Sequence, residues 1–424
     1  MKKSEIKQLQ EKYQSDYQVG QDNFKVLSMD LHKSVFVISA ALILLFVIFT
    51  LAFPETASGM LKGAKSWSIN NFDWLFMIGG NIFLLFCLAM IFLPSGRIRL
   101  GGDDARPEYS LLSWFAMLFA AGMGIGLMFW SVAEPVAYFT NWYGTPLGAE
   151  PRTPAGAEMA IGATMFHWAL HPWAIYGLVG LALAFFAYNK GLPLTIRSVF
   201  YPLLGEKTWG WMGDVIDILA VLATVFGLAT SLGLGAQQAS SGASFLFGTE
   251  DGITSQIIII IGVTLLAGVS VVRGLDKGVK ILSNVNIMIA LLLMLFILFA
   301  GPTGAIFGWI GTTFVAYAEN IIPLSNWIGR EDTDWYHGWT VFYWAWWVSW
   351  SPFVGMFIAR ISRGRTIREF MIAVLVVPTV VSLIWMGVFG GTALEQVING
   401  QGELTEGISK ASLAMFQMLE QLPM

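Results

Sequence analysis

Long apolar runs, separated by short polar connections, dominate this chain from about residue 34 onward. Runs of roughly twenty apolar residues predict helices that cross a bilayer. They fall at about 34–53, 74–93, 111–130, 158–187, 213–239, 253–272, 281–300, 337–360 and 369–390. Between the seventh and eighth runs, residues 303–334 are only moderately amphipathic, which predicts a helix lying on the outer membrane surface. The tail before the first run is polar and of mixed charge, unlike a cleaved signal peptide.

Composition agrees with that pattern. Of 424 residues, 56% are hydrophobic and only 12% are charged, with a mean hydropathy of +0.65. An ordinary soluble core is excluded, and the expected class is an all-α polytopic membrane protein. The basic residues give an orientation. Lys2, Lys3, Lys7, Lys12, Lys25 and Lys33 lie in the tail, and every second connection after it is basic. Those connections hold Arg97, Arg99 and Arg106, then Lys190, Arg197 and Lys207, then Arg273, Lys277 and Lys280, and then Arg360, Arg363, Arg365 and Arg368. The opposite side has only Lys62, Lys65, Arg152, Arg330 and Lys410, a ratio of nineteen to five. By the positive-inside rule the N-terminus is cytoplasmic. The single cysteine, Cys87, excludes an intramolecular disulfide. No nucleic-acid signature, dinucleotide fingerprint or phosphate loop occurs, so neither nucleic acid nor the chain's own ATP hydrolysis is expected.

The chemistry is concentrated in three spans. Residues 339–353 carry five tryptophans. Trp344, Trp346, Trp347 and Trp350 fall on roughly 160° of helical arc, beside Ser351-Pro352 where the helix is expected to break. A π-rich wall of that kind holds an organic cation without a counter-charge. An interfacial aromatic belt is the plainer reading, but a belt occupies a helix end. In the third span Ala120, Ala121, Gly122, Met123, Gly124, Ile125 and Gly126 place three glycines at alternate positions. Such a run permits an unwound turn whose N–H groups meet a carboxylate and whose carbonyls meet a cation. Close helix packing is the competing use. The fourth span brings Trp168, Trp173 and Tyr176 within roughly 140° of arc, with Pro172 between them.

His167 and His171 stand four residues apart but lack the further ligands a zinc site needs, so helix-to-helix hydrogen bonding is their expected use. Thr224 and Ser231 are expected to back-bond within their helix or, in the sharper reading, to ligate an ion. Asp214 and Asp217 read as acids at a helix N-terminus, and Glu134 as a residue at the end of its span. Span middles without fixed charge favour a zwitterionic ligand over a net ion. A channel would need a polar pore lining. An enzyme would need a nucleophile with its base, and neither set is present in the spans.

On these residues the chain resembles the betaine/choline/carnitine transporter family. The match is closest at Gly338–Trp347 (Gly-Trp-Thr-Val-Phe-Tyr-Trp-Ala-Trp-Trp) and runs on to Arg365. The Gly122–Gly126 run, Phe166–Tyr176 and Asp217–Gly235 also match in order and spacing. The resemblance implies an inverted-repeat, LeuT-like fold that assembles as a homotrimer in the cell inner (plasma) membrane. It implies a tail at 1–33, two peripheral helices at 34–93, a first repeat at 94–302, the outer connection at 303–334 and the start of a second repeat at 335–424. The family has twelve spans, so a chain ending after about nine is expected to carry an incomplete second repeat.

The resemblance further implies secondary active uptake of a betaine-type trimethylammonium zwitterion, with Na⁺ as coupling ion and no cofactor. Choline, carnitine or dimethylsulfoniopropionate transport by proton coupling or exchange is the alternative. Trp168, Trp173, Tyr176 and Trp347 correspond to the aromatic box, and Trp346 and Trp350 to a transit site on its cytoplasmic side. The backbone of Ala121, Gly122, Gly124 and Gly126 faces the substrate carboxylate. Ala120, Met123, Thr224 and Phe353 match positions near sodium. Gly126 stands where proton-coupled choline members carry Asp, and Leu228 stands where sodium-coupled members often carry Thr.

Overall fold

The computed structural model describes residues 11–27, 29–122, 124–272 and 280–423. Lys2, Lys3, Lys7, Arg273 and Lys277 of the charge pattern lie outside them. The principal helices are α1 (Lys33–Ala52), α2 (Pro54–Phe92), α3 (Leu111–Gly122), α4 (Ile125–Phe139), α5 (Pro154–Trp168), α6 (Leu170–Ala184), α7 (Trp211–Phe247), α8 (Ile253–Val272), α9 (Lys280–Ala300), α10 (Thr303–Ser325), α11 (Phe342–Ile361), α12 (Ile367–Ile398) and α13 (Ala414–Glu420). All nine expected spans fall on these helices. Among the described residues, seven helical stretches are long and apolar enough to cross a membrane. Helix α8 has no buried residue, and its exposed Ile257, Ile258, Ile261 and Leu265 suit acyl chains rather than water.

Four features depart from the sequence expectation. Helix α2 starts at Pro54, one residue after α1 ends, instead of near residue 74. Pro54 opens it without needing a donor, and Phe53 takes the non-helical turn at φ −135°, ψ 61°. The third span continues to Phe139 as α4, which puts Glu134 inside a helix and not at its end. The fourth span is broken, but at Ala169 (φ −109°, ψ −125°). Pro172 cannot donate to the Trp168 carbonyl and its ring crowds that group, so the helix parts there. Helix α11 does not break at Pro352. The carbonyl that Pro352 leaves without a backbone donor is that of Val348, and the Ser351 hydroxyl donates to it at 2.8 Å. The irregularity lies earlier, in a π-helical stretch at Tyr336–Val341 leading into α11. The tail adds a small antiparallel hairpin, Asn23–Val26 against Met29–His32, with Asn23 opposite His32.

The chain divides into two compact units. The first comprises the residues up to Phe115, Pro172–Leu228 and Tyr343–Leu375. Its core holds Met77, Cys87, Leu100, Trp114, Trp344, Ile358 and Phe370, all almost wholly buried. At the edge of this unit, Arg197 pairs with Asp214 (2.9 Å) and Asp217 (2.5 Å). The two acids thus hold a buried guanidinium, a stronger role than complementing a helix dipole. The backbones of 98–100 and 364–367 hydrogen-bond through Leu100, Gly364 and Ile367. The Arg365 guanidinium lies 4.6 Å from the centre of the Trp114 ring, so part of the basic connection is built into the fold.

The second unit comprises Ala116–His171, Ala229–Phe342 and Val376 to the end. Trp335, Tyr138, Phe166, Trp385, Phe389 and Met418 form its core. Helix α10, expected on the membrane surface, packs along α5, where Gly162 lets the Ala316 backbone approach. The Tyr317 hydroxyl accepts from the Leu170 N–H at 3.2 Å, which ties α10 to the break in the fourth span.

Candidate functional site

In the first unit, three of the expected box residues meet. Trp173 and Tyr176 stand one turn apart on α6, beyond the Ala169 break, and both are buried. Their ring centres are 5.6 Å apart at an interplanar angle of 80°. The Tyr176 ring is also edge-on to Trp347 of α11, at 5.5 Å and 82°. Trp346 lies behind Trp347, nearly parallel at 6.0 Å and 23°. With Tyr176 nearly perpendicular to both Trp173 and Trp347, this corner presents π faces in several directions over a short distance. Such a corner stabilises a compact quaternary ammonium group, because each face is negative and none has to be paired with a counter-ion.

The four indoles of α11 do not form one wall. Trp344 is fully buried, turned to Gly80 of α2; a β-carbon at Gly80 would come within 2.8 Å of its Nε1. Glycine is needed there because the indole occupies the space of a side chain. Trp350 and Ser349 use Gly227 of α7 in the same way, at 3.1 Å and 2.7 Å from the equivalent position. Trp350 also packs on Phe353 at 5.7 Å. Two of the four indoles therefore take part in helix contacts.

The expected sodium residues are distributed. Thr224 and Phe353 lie in the first unit, each about one turn from the Gly227 approach of α7 to α11. The Thr224 hydroxyl donates to the Ala220 carbonyl at 2.8 Å, the ordinary back-bond, which leaves its lone pairs for a cation. Ala120 belongs to the second unit, and Met123 lies outside the described residues.

The second unit holds the glycine run and Trp168. Helix α3 ends at Gly122 and α4 starts at Ile125, so the third span is interrupted within that run. Gly124 is extended (φ −103°, ψ 178°) and caps α4 with no side-chain partner. The first-turn N–H groups of α4 are thereby left without helical acceptors. Gly126 is buried in that turn.

Trp168 is held by a hydrogen-bonded group that the sequence did not foretell. Its Nε1 donates to Glu134 Oε2 at 2.8 Å. Glu134 Oε1 accepts from the Tyr138 hydroxyl at 2.8 Å and lies 2.7 Å from His167 Nδ1. His167 Nε2 is 2.9 Å from Thr340 Oγ1 in the π-helical stretch. Glu134, His167 and Thr340 have no exposed surface at all. Trp335 stacks on the His167 ring at 5.5 Å and 26°. His171 makes a separate 3.3 Å contact from Nε2 to Ser325 of α10. Both histidines therefore do the helix-to-helix work expected of them. The available signal for Glu134 was a lone carboxylate in an otherwise apolar span, which has to find donors somewhere.

Comparison with known proteins points in one direction. Residues 34–424 match the family described as BCCT, betaine/carnitine/choline family transporter. Glycine betaine transporter 1 of Vibrio parahaemolyticus is 63% identical over 411 residues, covering 96% of this chain and 78% of that protein. The glycine betaine/proline/choline/ectoine transporter of the same organism is 58% identical over 411 residues, 96% of this chain and 73% of that protein. The glycine betaine transporter OpuD of Bacillus subtilis is 43% identical over 395 residues, 92% of this chain and 76% of that protein.

Proposed function

Given that this chain belongs to the betaine/carnitine/choline transporter family, and is thus a multi-pass membrane transporter and not an enzyme, we propose that it imports a betaine-type trimethylammonium zwitterion by sodium symport. The observation that carries the substrate class is the perpendicular arrangement of Trp173, Tyr176 and Trp347. Three aromatic rings within one side chain's reach suit a cation that cannot donate hydrogen bonds. Trp346 and Trp350 keep their assignment as a transit site, and Trp168 its assignment to the box, from the family resemblance.

The zwitterion's carboxylate suits the broken third span. The extended backbone at Gly124 and the first-turn N–H groups of α4, which lack helical acceptors, supply donors and a positive dipole end. A substrate carrying both charges enters the bilayer with no net charge. Thr224 and Phe353 are the proposed sodium-facing residues of the first unit, with the protein a homotrimer in the inner membrane and its N-terminus cytoplasmic.

The deciding measurement is uptake by purified protein in proteoliposomes. Glycine betaine, choline, carnitine and dimethylsulfoniopropionate are offered with and without a sodium gradient. Saturable betaine uptake that stops without sodium is expected. Uptake indifferent to sodium but driven by a proton gradient, or occurring only by exchange, would replace the symport reading. A second reading, a wider substrate range that includes choline, is favoured by the name of the 58% identical relative; the choline arm tests it directly.

A further inference from the structure

Glu134 sits in the middle of the most heavily bonded buried group of the second unit. Its carboxylate accepts from Trp168 Nε1–H at Oε2 and from the Tyr138 hydroxyl at Oε1, and His167 Nδ1 lies 2.7 Å from Oε1 and 3.2 Å from that hydroxyl. Since Tyr138 and His167 share Oε1, the second oxygen is left to the indole of Trp168. His167 then passes the restraint on through Nε2 to Thr340, in the π-helical stretch before α11. The charged and titratable groups around it come from every packed element. Tyr138 is on α4, His167 is on α5, and Arg330 lies over Trp335, the ring stacked on His167. Arg330 is itself held by Asp332 at 2.7 Å from two nitrogens.

We propose that Glu134 is a positioning residue for substrate binding: its carboxylate fixes the indole of Trp168 in the orientation that presents its face to the trimethylammonium group, and His167 and Thr340 fix the carboxylate. This rests on the assignment of Trp168 to the substrate box. A buried carboxylate is costly inside a bilayer. An indole N–H alone needs only a carbonyl or hydroxyl acceptor. The stacked Trp335 and bonded Thr340 prevent the histidine from swinging away, and with both carboxylate oxygens occupied the indole N–H has one fixed acceptor.

The test is a double-mutant cycle in proteoliposomes with glycine betaine. Glu134→Gln should raise KM by roughly tenfold, in line with disruption of a buried hydrogen bond, with the maximal rate reduced far less. Trp168→Phe, which has no N–H to hold, should raise KM on its own. Adding Glu134→Gln to Trp168→Phe should then change KM less than about twofold, because the held group is already gone. Equal effects of Glu134→Gln in both backgrounds overturn the proposal while leaving Trp168 in the box. An unchanged KM in Trp168→Phe removes Trp168 from the box, and the proposal falls with it.

If Glu134→Gln does not fold, ultraviolet resonance Raman decides the matter on protein that does. The difference spectrum of wild type minus Trp168→Phe should show the marker of a strongly hydrogen-bonded indole N–H. A marker of a weakly bonded indole would overturn the proposal.

Discussion

An indole serves a transporter either as a π face for a cation or as bulk that fills a helix interface, and α11 uses its tryptophans both ways. Periodicity places Trp344, Trp346, Trp347 and Trp350 on one arc, but it cannot say which neighbour each one meets. The glycines decide: Gly80 and Gly227 make room for Trp344 and Trp350, whereas Trp347 meets a second aromatic ring, that of Tyr176. Replacing Trp347 by Leu should weaken betaine binding by roughly 1–2 kcal/mol, the value of a desolvated cation–π contact. Tryptophan fluorescence checks this, with an isosteric tert-butyl acid as control. An equal response to the uncharged analogue would show that the site reads shape and not charge. Gly126 offers a second residue-scale experiment. Buried in the first turn of α4, it becomes a fixed anion in Gly126→Asp, which should bind a proton or the substrate's positive charge. Weaker sodium dependence, a new pH dependence of uptake and a shift from betaine toward choline are expected. A folded variant with unchanged betaine uptake and none of these gains would return the glycine run to a packing role.

At the scale of elements, what the sequence makes legible is what depends on backbone chemistry alone. Twenty apolar residues can only be a helix in a bilayer, because every backbone group must find a partner within the segment, and the spans were readable for that reason. The break at Gly124 was readable because glycine is a poor helix interior. The break at Ala169 was displaced from Pro172 because proline disturbs the carbonyl four residues before it, not its own position. No break occurs at Pro352, because a neighbouring serine hydroxyl replaces the missing donor. Glu134 was misread as a span end because two of its partners, His167 and Trp168, lie on α5, and Tyr138 one turn on in α4 gives no sign of them.

One polar junction between elements yields a pH experiment. Asp251, in the connection from α7 to α8, accepts from Ser240 (2.7 Å) and Ser241 (2.8 Å) and pairs with Lys410. The Lys410 ammonium foremost, with the two hydroxyls, holds its carboxyl down at about 2, against an ordinary 3.8. A carboxyl whose value falls on folding stabilises the fold above its unfolded value, and that contribution is lost as pH drops through the folded value. The unfolding temperature of detergent-solubilised wild type should therefore exceed that of Asp251→Asn above about pH 4 and converge with it toward pH 2. A constant difference across that window would show that Asp251 stays ionised or is not held by Lys410.

For the whole molecule, the distribution of lysine and arginine sets an orientation independently of how any helix packs. Nineteen basic residues lie in the tail and alternate connections, against five on the other side. By the positive-inside rule the richer side is expected to stay inside. Helix α2 makes the consequence measurable. Its 39 residues span roughly 58 Å at 1.5 Å per residue, far beyond a hydrocarbon core of about 30 Å. Its polar half, with Lys62, Lys65, Asn70, Asn71 and Asp73, precedes its apolar half. With the N-terminus inside, α1 exits at Phe53 and this polar half stands outside the cell membrane. Cys87, the chain's single cysteine, is buried, so Cys87→Ser supplies a background for labelling. Lys25 and Lys65 are both exposed. In intact cells a membrane-impermeant maleimide should label Lys65→Cys and not Lys25→Cys, and permeabilisation should bring Lys25→Cys up to the same level. The reverse pattern would invert the topology. It would also place the Arg360–Arg368 connection outside, while the direction of symport would stay inward, because the sodium gradient sets it.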